Sequence, residues 1–156
     1  MAATTETDLQ QAWNIANRMS LMVLDALTDA ALTAKLDKGR TVGEILAHMH
    51  NNRLAWLEHS ASDLFNQLTK IEGEQVNNRA ALRYAFEASG AAISELLNRS
   101  VQKGKITGFK RSPAAFMGYL IAHEGYHQGE IGILLAQAGH RVPREIAYGM
   151  WEWGKI

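Results

Sequence analysis

Residues 112–139 read SPAAFMGYLIAHEGYHQGEIGILLAQAG, and this stretch decides the fold. Ser112 is a preferred N-cap residue, Pro113 suits the first helical position, and Gly139 suits the residue that follows a helix. Between these signals the apolar residues recur at intervals of three and four, which is the period of an α-helix. The stretch therefore predicts one long helix, helix four, whose two ends are both marked in the sequence.

Three further segments show the same helical period. Helix one is predicted over residues 6–28, helix two over 42–68 and helix three over 76–98, with a short helical turn at 29–36. Thr41 and Glu44 form a capping-box pattern that opens helix two. The chain has only two prolines, and strand-type alternation is hard to find. The prediction is an all-α four-helix bundle in which residues 99–111 form a long crossover connection.

Length and composition limit the class of protein. A chain of 156 residues suits a single domain over 1–156. Sixteen basic residues balance sixteen acidic ones, so there is no electrostatic footprint for nucleic acid or an anionic membrane. The N-terminus does not resemble a secretory signal, and no apolar run is long enough to span a bilayer. We therefore expect a cytoplasmic protein without nucleic-acid or membrane partners.

Three histidines indicate a metal site. His123 and His127 are four residues apart in helix four, so their side chains lie about 40° apart on the helix. His48 lies on the core side of helix two and can complete three-coordinate binding of one divalent cation, which leaves a position open as in catalytic sites. The chain has no cysteine, so imidazole or carboxylate ligands are required. Each histidine alone could be an ordinary core or surface residue, but the three together favour a metal site.

The remaining histidines are predicted to lie outside this site. His50 is about 200° from His48 around the helix, which predicts the outer surface of helix two. His59 returns to the His48 side but is about 16 Å further along the axis. His140 follows the predicted end of helix four and is expected at the surface.

The string His123-Glu124-x-x-His127 also matches the short zincin pattern, in which the glutamate is the general base of a metalloprotease. Glu130 breaks the longer metzincin spacing, and no strand is evident to hold a peptide substrate. We therefore do not expect a protease, and we predict that Glu124 is not a catalytic base.

The whole chain resembles the DinB/YfiT-like superfamily of four-helix metal-binding proteins. Three motifs carry the resemblance: Gly43-Glu-Ile-Leu-Ala-His48-Met-His-Asn-Asn-Arg53 in helix two, His123-x-x-x-His127-x-Gly129 in helix four, and the tail Tyr148-Gly-Met-Trp-Glu-Trp-Gly154.

The resemblance implies that His48, His123 and His127 are the metal ligands. It also implies a left-handed bundle with a crossover, and a homodimer. The superfamily string in helix four usually continues as His-Arg-Gly-Gln, whereas this chain has Gln128 and Glu130. The carboxylate at position 130 changes the hydrogen bonding expected around the ligands.

A site made of neutral imidazoles favours zinc or nickel and acidifies a bound water or thiol. Relatives in the superfamily include enzymes that transfer low-molecular-weight thiols to electrophiles. The resemblance therefore implies a metal-dependent thiol S-transferase whose partners are a small-molecule thiol and an electrophile. The alternatives are a metal-dependent hydrolase and a non-catalytic metal-binding stress protein. Glu130, Glu44 and Tyr119 are the candidate catalytic proton acceptors, and each could instead only orient an imidazole.

Two further features carry predictions about packing. Helix-interior glycines are costly, so those on the side of helix four away from its histidines predict a close contact, either with a neighbouring helix or with the two-fold mate of a homodimer. They are Gly118, Gly125, Gly129 and Gly132. The aromatic tail is predicted to plug the apolar end of the bundle, with a substrate-pocket wall as the alternative; its large residues are Tyr148, Trp151 and Trp153.

Overall fold

A computed structural model describes residues 6–156, and all of its regular elements are helices. They are α1 (Asp8–Ala26), α2 (Asp29–Leu32), α3 (Val42–Ser60), α4 (Ser62–Phe65), a 3-10 helix (Gly73–Asn77), α5 (Arg79–Lys103), α6 (Pro113–Gln137) and α7 (Arg144–Gly149). The four long helices α1, α3, α5 and α6 correspond to the predicted helices one to four, and the all-α prediction is confirmed. In the part of the chain described, no helix combines the length and apolar character needed to cross a membrane.

Helix ends follow the capping signals in the sequence. The Thr41 hydroxyl accepts a hydrogen bond from the backbone N–H of Glu44, and the Glu44 carboxylate accepts one from the N–H of Thr41. Ser112 caps α6, Pro113 opens it, and Gly139 beyond its end has a φ of 77°. Both predicted ends of helix four are therefore confirmed.

The four long helices form a ring in which α1 packs on α5, α5 on α3, α3 on α6, and α6 on α1. The indole N–H of Trp13, early in α1, donates to the carbonyl of Gly90, and Asp25 at the end of α1 pairs with Arg83 near the start of α5. Residues later in α1 therefore contact residues earlier in α5, so these two helices are antiparallel.

Helices α3 and α5, in contrast, run parallel. Gly43 at the start of α3 lies against Val76 just before α5, and Asp63 just after α3 pairs with Arg99 near the end of α5. Two adjacent parallel helices need a connection that returns along the bundle.

That returning connection is residues 61–78, and the prediction that it spans 99–111 is wrong. The side-chain amide of Asn51, in the middle of α3, bonds to both the backbone N–H and the carbonyl of Ile71. Ala61, with φ −158° and ψ 71°, ends α3 where helix two was predicted to continue to residue 68. Residues 104–112, after the longer α5, only join its end to the start of α6.

The bundle interior holds two apolar clusters with a charged side chain between them. Trp13 and Phe116 belong to one cluster, and Leu24 and Phe86 to the other. The guanidinium of Arg53 lies 4.9 Å from the Trp13 ring centroid and 4.5 Å from that of Phe86. A polar layer therefore crosses the bundle between the two parts of its core.

The predictions for the glycines and for the aromatic tail need correction. A Cβ added at Gly118, Gly125, Gly129 or Gly132 would meet no heavy atom within 4 Å, so the predicted close contact within the chain is wrong. Trp151 and Trp153 are 65% and 51% exposed, so they do not plug the bundle. They border an apolar groove of about 540 Å³ between α1 and α6, on the side of α6 that carries the glycines.

Candidate metal centre

The structure brings His48 of α3 together with His123 and His127 of α6. One ring nitrogen from each lies within 4.8 Å of the others. The Nε2 atoms of His48 and His123 are 3.2 Å apart. Tetrahedral zinc with bonds of about 2.0–2.1 Å separates its nitrogen ligands by about 3.3–3.4 Å. One pair is therefore already at about the separation that a single cation requires, and the third ring nitrogen lies within 4.8 Å of both.

Antiparallel packing of α3 on α6 produces this cluster. Arg53 of α3 pairs with Glu124 of α6, and this contact fixes which turns of the two helices lie side by side. His48 lies before Arg53 in α3, and His123 and His127 lie on either side of Glu124 in α6. The i, i+4 spacing in α6 then presents both imidazoles to the same side of α3. His127 is buried, whereas His48 and His123 are partly exposed, so the cluster is open on one side to solvent.

Side chains outside the cluster contact two of its rings. The Nδ1 of His127 contacts Oε2 of Glu130, so the proton on Nδ1 is donated to the carboxylate and the Nε2 lone pair is free for a cation. The side-chain amide of Asn52 lies 3.5 Å from Nδ1 of His123. Rotating that amide by 180° would present its oxygen to an Nδ1–H and select the same tautomer.

Burial favours the neutral form of the two partly exposed histidines. The pKa of His48 is lowered first by burial and then by the positive charge of Arg40, with smaller effects from the two other histidines. The pKa of His123 is lowered by burial and by His127. Both shifts favour the unprotonated ring, which is the state that binds a metal.

The three candidate proton acceptors occupy different positions. Glu130 contacts His127, and its charge also acts on His48. Tyr119 is 37% exposed and stacks on His123 with an interplanar angle of 24°. Glu44 is engaged in the capping box at the start of α3. The structure thus brings Glu130 and Tyr119 to the cluster, whereas the carboxylate of Glu44 is directed to the helix end.

An aromatic wall borders the cluster on the side of Tyr119. We use this name for Trp56, Phe109 and Tyr119, whose rings meet one another at centroid distances of 5.6–6.1 Å. Phe116 lies behind them and is fully buried. Trp56 and Phe109 are partly exposed. The aromatic wall is therefore an apolar surface beside the open side of the three histidines.

Sequence reasoning missed the ion pair that supports the site. Arg53 is fully buried, and its Nε and Nη2 donate to the two carboxylate oxygens of Glu124 at 2.6 and 2.8 Å. Both oxygens of Glu124 thus accept hydrogen bonds from Arg53, and the absence of a catalytic role for Glu124 stays a prediction. Arg53 is four residues after Met49 and four before Leu57, both buried. Its position on this stripe of buried apolar residues was the sequence signal for a buried arginine.

The prediction that His50 lies on the outer surface is wrong, because its side chain is 1% exposed. Its Nε2 donates to the carbonyl of Thr69 at 2.9 Å, and its Nδ1 accepts from the hydroxyl of Ser89 at 3.0 Å. This side of α3 is not exposed, because the crossover of residues 61–78 covers it. His59 and His140 are exposed, as predicted for His140, and neither joins the cluster.

Comparison with known proteins identifies the family. A model described as DinB family matches residues 1–153. The chain belongs to the DinB family. No curated protein and no solved structure matches it. Membership agrees with the resemblance seen in the sequence, and the structure of this DinB protein places the histidines of that resemblance within reach of one cation.

Proposed function

We propose that this DinB protein binds one divalent ion, zinc or nickel, through His48, His123 and His127. We further propose that it is a metal-dependent enzyme that transfers a low-molecular-weight thiol to a small electrophile. The observation that carries the proposal is the convergence of three imidazoles with a side open to solvent. We also propose that residues 1–156 form one domain.

A bound ion and Glu130 would together prepare this site for thiol transfer. A divalent ion bound there would lower the pKa of a thiol and so supply a thiolate at neutral pH. Glu130 holds the tautomer of His127 in which Nε2 is free. Glu130 is also a candidate to accept a thiol proton, because it contacts His127 and its charge acts on His48.

Arg40 supports an anionic thiol as the donor substrate. It lies in the connection before α3, is exposed, and is close enough to His48 to lower the pKa of that ring. Among residues 6–156 it forms no ion pair. A thiol that carries a carboxylate would place its negative charge opposite this guanidinium while its sulfur reaches the histidines.

Elemental analysis of the purified protein tests the metal proposal. We expect one zinc or nickel ion per chain in the unmodified protein and none in His48→Ala, with the helical circular-dichroism signal retained. His59→Ala is the matched control, because His59 lies in the same helix, is exposed and is outside the cluster. Full metal content in His48→Ala would contradict the ligand assignment.

A thiol screen tests the reaction. We expect the metal-loaded protein to accelerate the conjugation of small thiols with a chromogenic electrophile, and His48→Ala to lose that rate. Thiols with a carboxylate should react better than neutral thiols, and Arg40→Gln should reduce this difference. Ester hydrolysis without thiol transfer would instead support the hydrolase, and metal binding without either reaction would support a non-catalytic role.

We also propose that two copies associate through the exposed side of α6. Between Pro113 and Glu130 this side has no exposed charged residue, and its small exposed residues include Gly118, Ala122, Gly125 and Gly129. Sedimentation of the unmodified protein should show a dimer, and Gly125→Leu should shift it towards monomer while the metal stays bound. A monomer in both cases would contradict the proposal.

A further inference from the structure

We infer that the aromatic wall of Trp56, Phe109 and Tyr119 binds a planar aromatic group, so that the electrophile is an aromatic one. This inference rests on the proposed thiol transfer and names the class of its second substrate. In the reaction, the thiolate sulfur would form a C–S bond to an activated ring carbon of an aryl halide. The halide would leave with its bonding pair, and the thiol proton would pass to solvent through Glu130.

Tyr119 lies beside the ring of His123. Its ring is nearly parallel to that of His123, at a centroid distance of 6.2 Å and an angle of 24°. Tyr119 and His123 are one turn apart on the same side of α6. A flat group that lies along the wall therefore has one edge beside the histidines, where the thiol sulfur is expected.

The aromatic wall is both rigid and exposed. Trp56 meets Tyr119 at 5.6 Å and 75°, and it meets Phe109 at 5.7 Å and 79°. These edge-to-face contacts, backed by Phe116, fix the ring orientations before any ligand arrives. Yet Tyr119 stays 37% exposed. A ligand ring would cover this apolar surface and add further aromatic contacts without an ordering cost for the wall.

The two sides of the histidine cluster differ in charge. Arg40, just before α3, and Glu130, after His127 in α6, lie on one side of the histidines along these two antiparallel helices, whereas Trp56 and Tyr119 lie on the other. The aromatic wall, in contrast, consists of uncharged rings. A charged thiol and an apolar ring would thus be drawn to different surfaces, which favours simultaneous binding.

Binding of two hydroxamates to the Co²⁺-loaded protein tests the inference without measuring turnover. Benzohydroxamate and acetohydroxamate have the same metal-binding group, and only the first carries a ring. Both are titrated while the visible cobalt bands are followed. We expect benzohydroxamate to bind at least about tenfold more tightly, which corresponds to about 1.4 kcal/mol.

Variants assign the preference to the wall. Tyr119→Ala should reduce the ratio of the two dissociation constants to about threefold or less, whereas Tyr119→Phe should keep it. Tyr126→Ala is the matched control, because Tyr126 also contacts a cluster histidine, His127, but is 70% exposed and outside the wall. A ratio near one in the unmodified protein, or a ratio that Tyr119→Ala leaves unchanged, would overturn the inference. Absence of cobalt binding would instead overturn the proposed metal function on which it rests.

Discussion

Replacing Arg53 by methionine should remove one half of a buried ion pair and lower the free energy of unfolding by about 3–5 kcal/mol. The magnitude follows from what the change leaves behind. Arg53 is fully buried and Glu124 is 5% exposed, so the carboxyl group would remain in the core without its partner. Arg53 also donates to Asn17 and Ser89 and to a backbone carbonyl, and these acceptors would lose a donor as well.

Urea unfolding of the metal-free protein, in the presence of a chelator, measures the effect on the fold alone. The double variant Arg53→Met with Glu124→Leu removes both charges. It should be more stable than the single variant by about 2 kcal/mol or more, because no charge is then left buried without a partner. The coupling between the two positions is the quantity that distinguishes an ion pair from ordinary core packing.

Arg83→Met is the matched control. Arg83 also makes two ion pairs, with Asp25 and Glu87, but at the surface of α5. Its loss should cost no more than about 1 kcal/mol. If Arg53→Met were as mild as Arg83→Met, or if the double variant were less stable than the single one, the reasoning about the buried pair would be refuted.

Three further predictions concern single residues. Glu130→Gln should weaken metal affinity by about 10–100-fold in a chelator competition, because a carboxylate no longer orients its histidine; an unchanged affinity would contradict this role. Gly90→Ala should lower the thermal midpoint, because its Cβ would overlap Asn17, whereas Gly129→Ala has open space and should stabilise α6 by about 0.5–1 kcal/mol; equal midpoints would contradict both expectations. Burial lowers the pKa of His50, so its stabilising effect should be complete above about pH 6.5 and decline as the pH falls below that value. Urea midpoints of the metal-free protein from pH 7.5 to 5.5 should therefore fall more steeply than those of His50→Gln, and parallel curves would count against this.

Local signals in the sequence sufficed for the helices and for the cluster. The caps at Thr41 and Ser112 depend on neighbouring residues, and the structure shows both. The i, i+4 pair His123 and His127 shares one side of α6 whatever that helix packs against. To predict that His48 joins this pair, one also had to know which side of α3 faces the core, and the apolar stripe of α3 indicated that side.

Features that depend on which helices are neighbours could not be predicted in the same way. A helical wheel assumes one buried side and one exposed side, but α3 contacts α5, α6 and the crossover. His50 therefore lies in the core although it is on the opposite side from His48. The crossover was misplaced because Leu64, Phe65 and Leu68 continue a helical spacing beyond Ala61, where the backbone leaves the helix.

The long sequence separations within the cluster have a consequence for protein synthesis. His48 and His123 are 75 residues apart, and the supporting Arg53 and Glu124 are 71 apart. A growing chain therefore exposes a single one of these histidines until α6 has been translated and has docked on α3. The proposed capture of an ion by all three rings would thus be confined to chains whose bundle is already complete, so unfinished chains would not compete for free metal at this site.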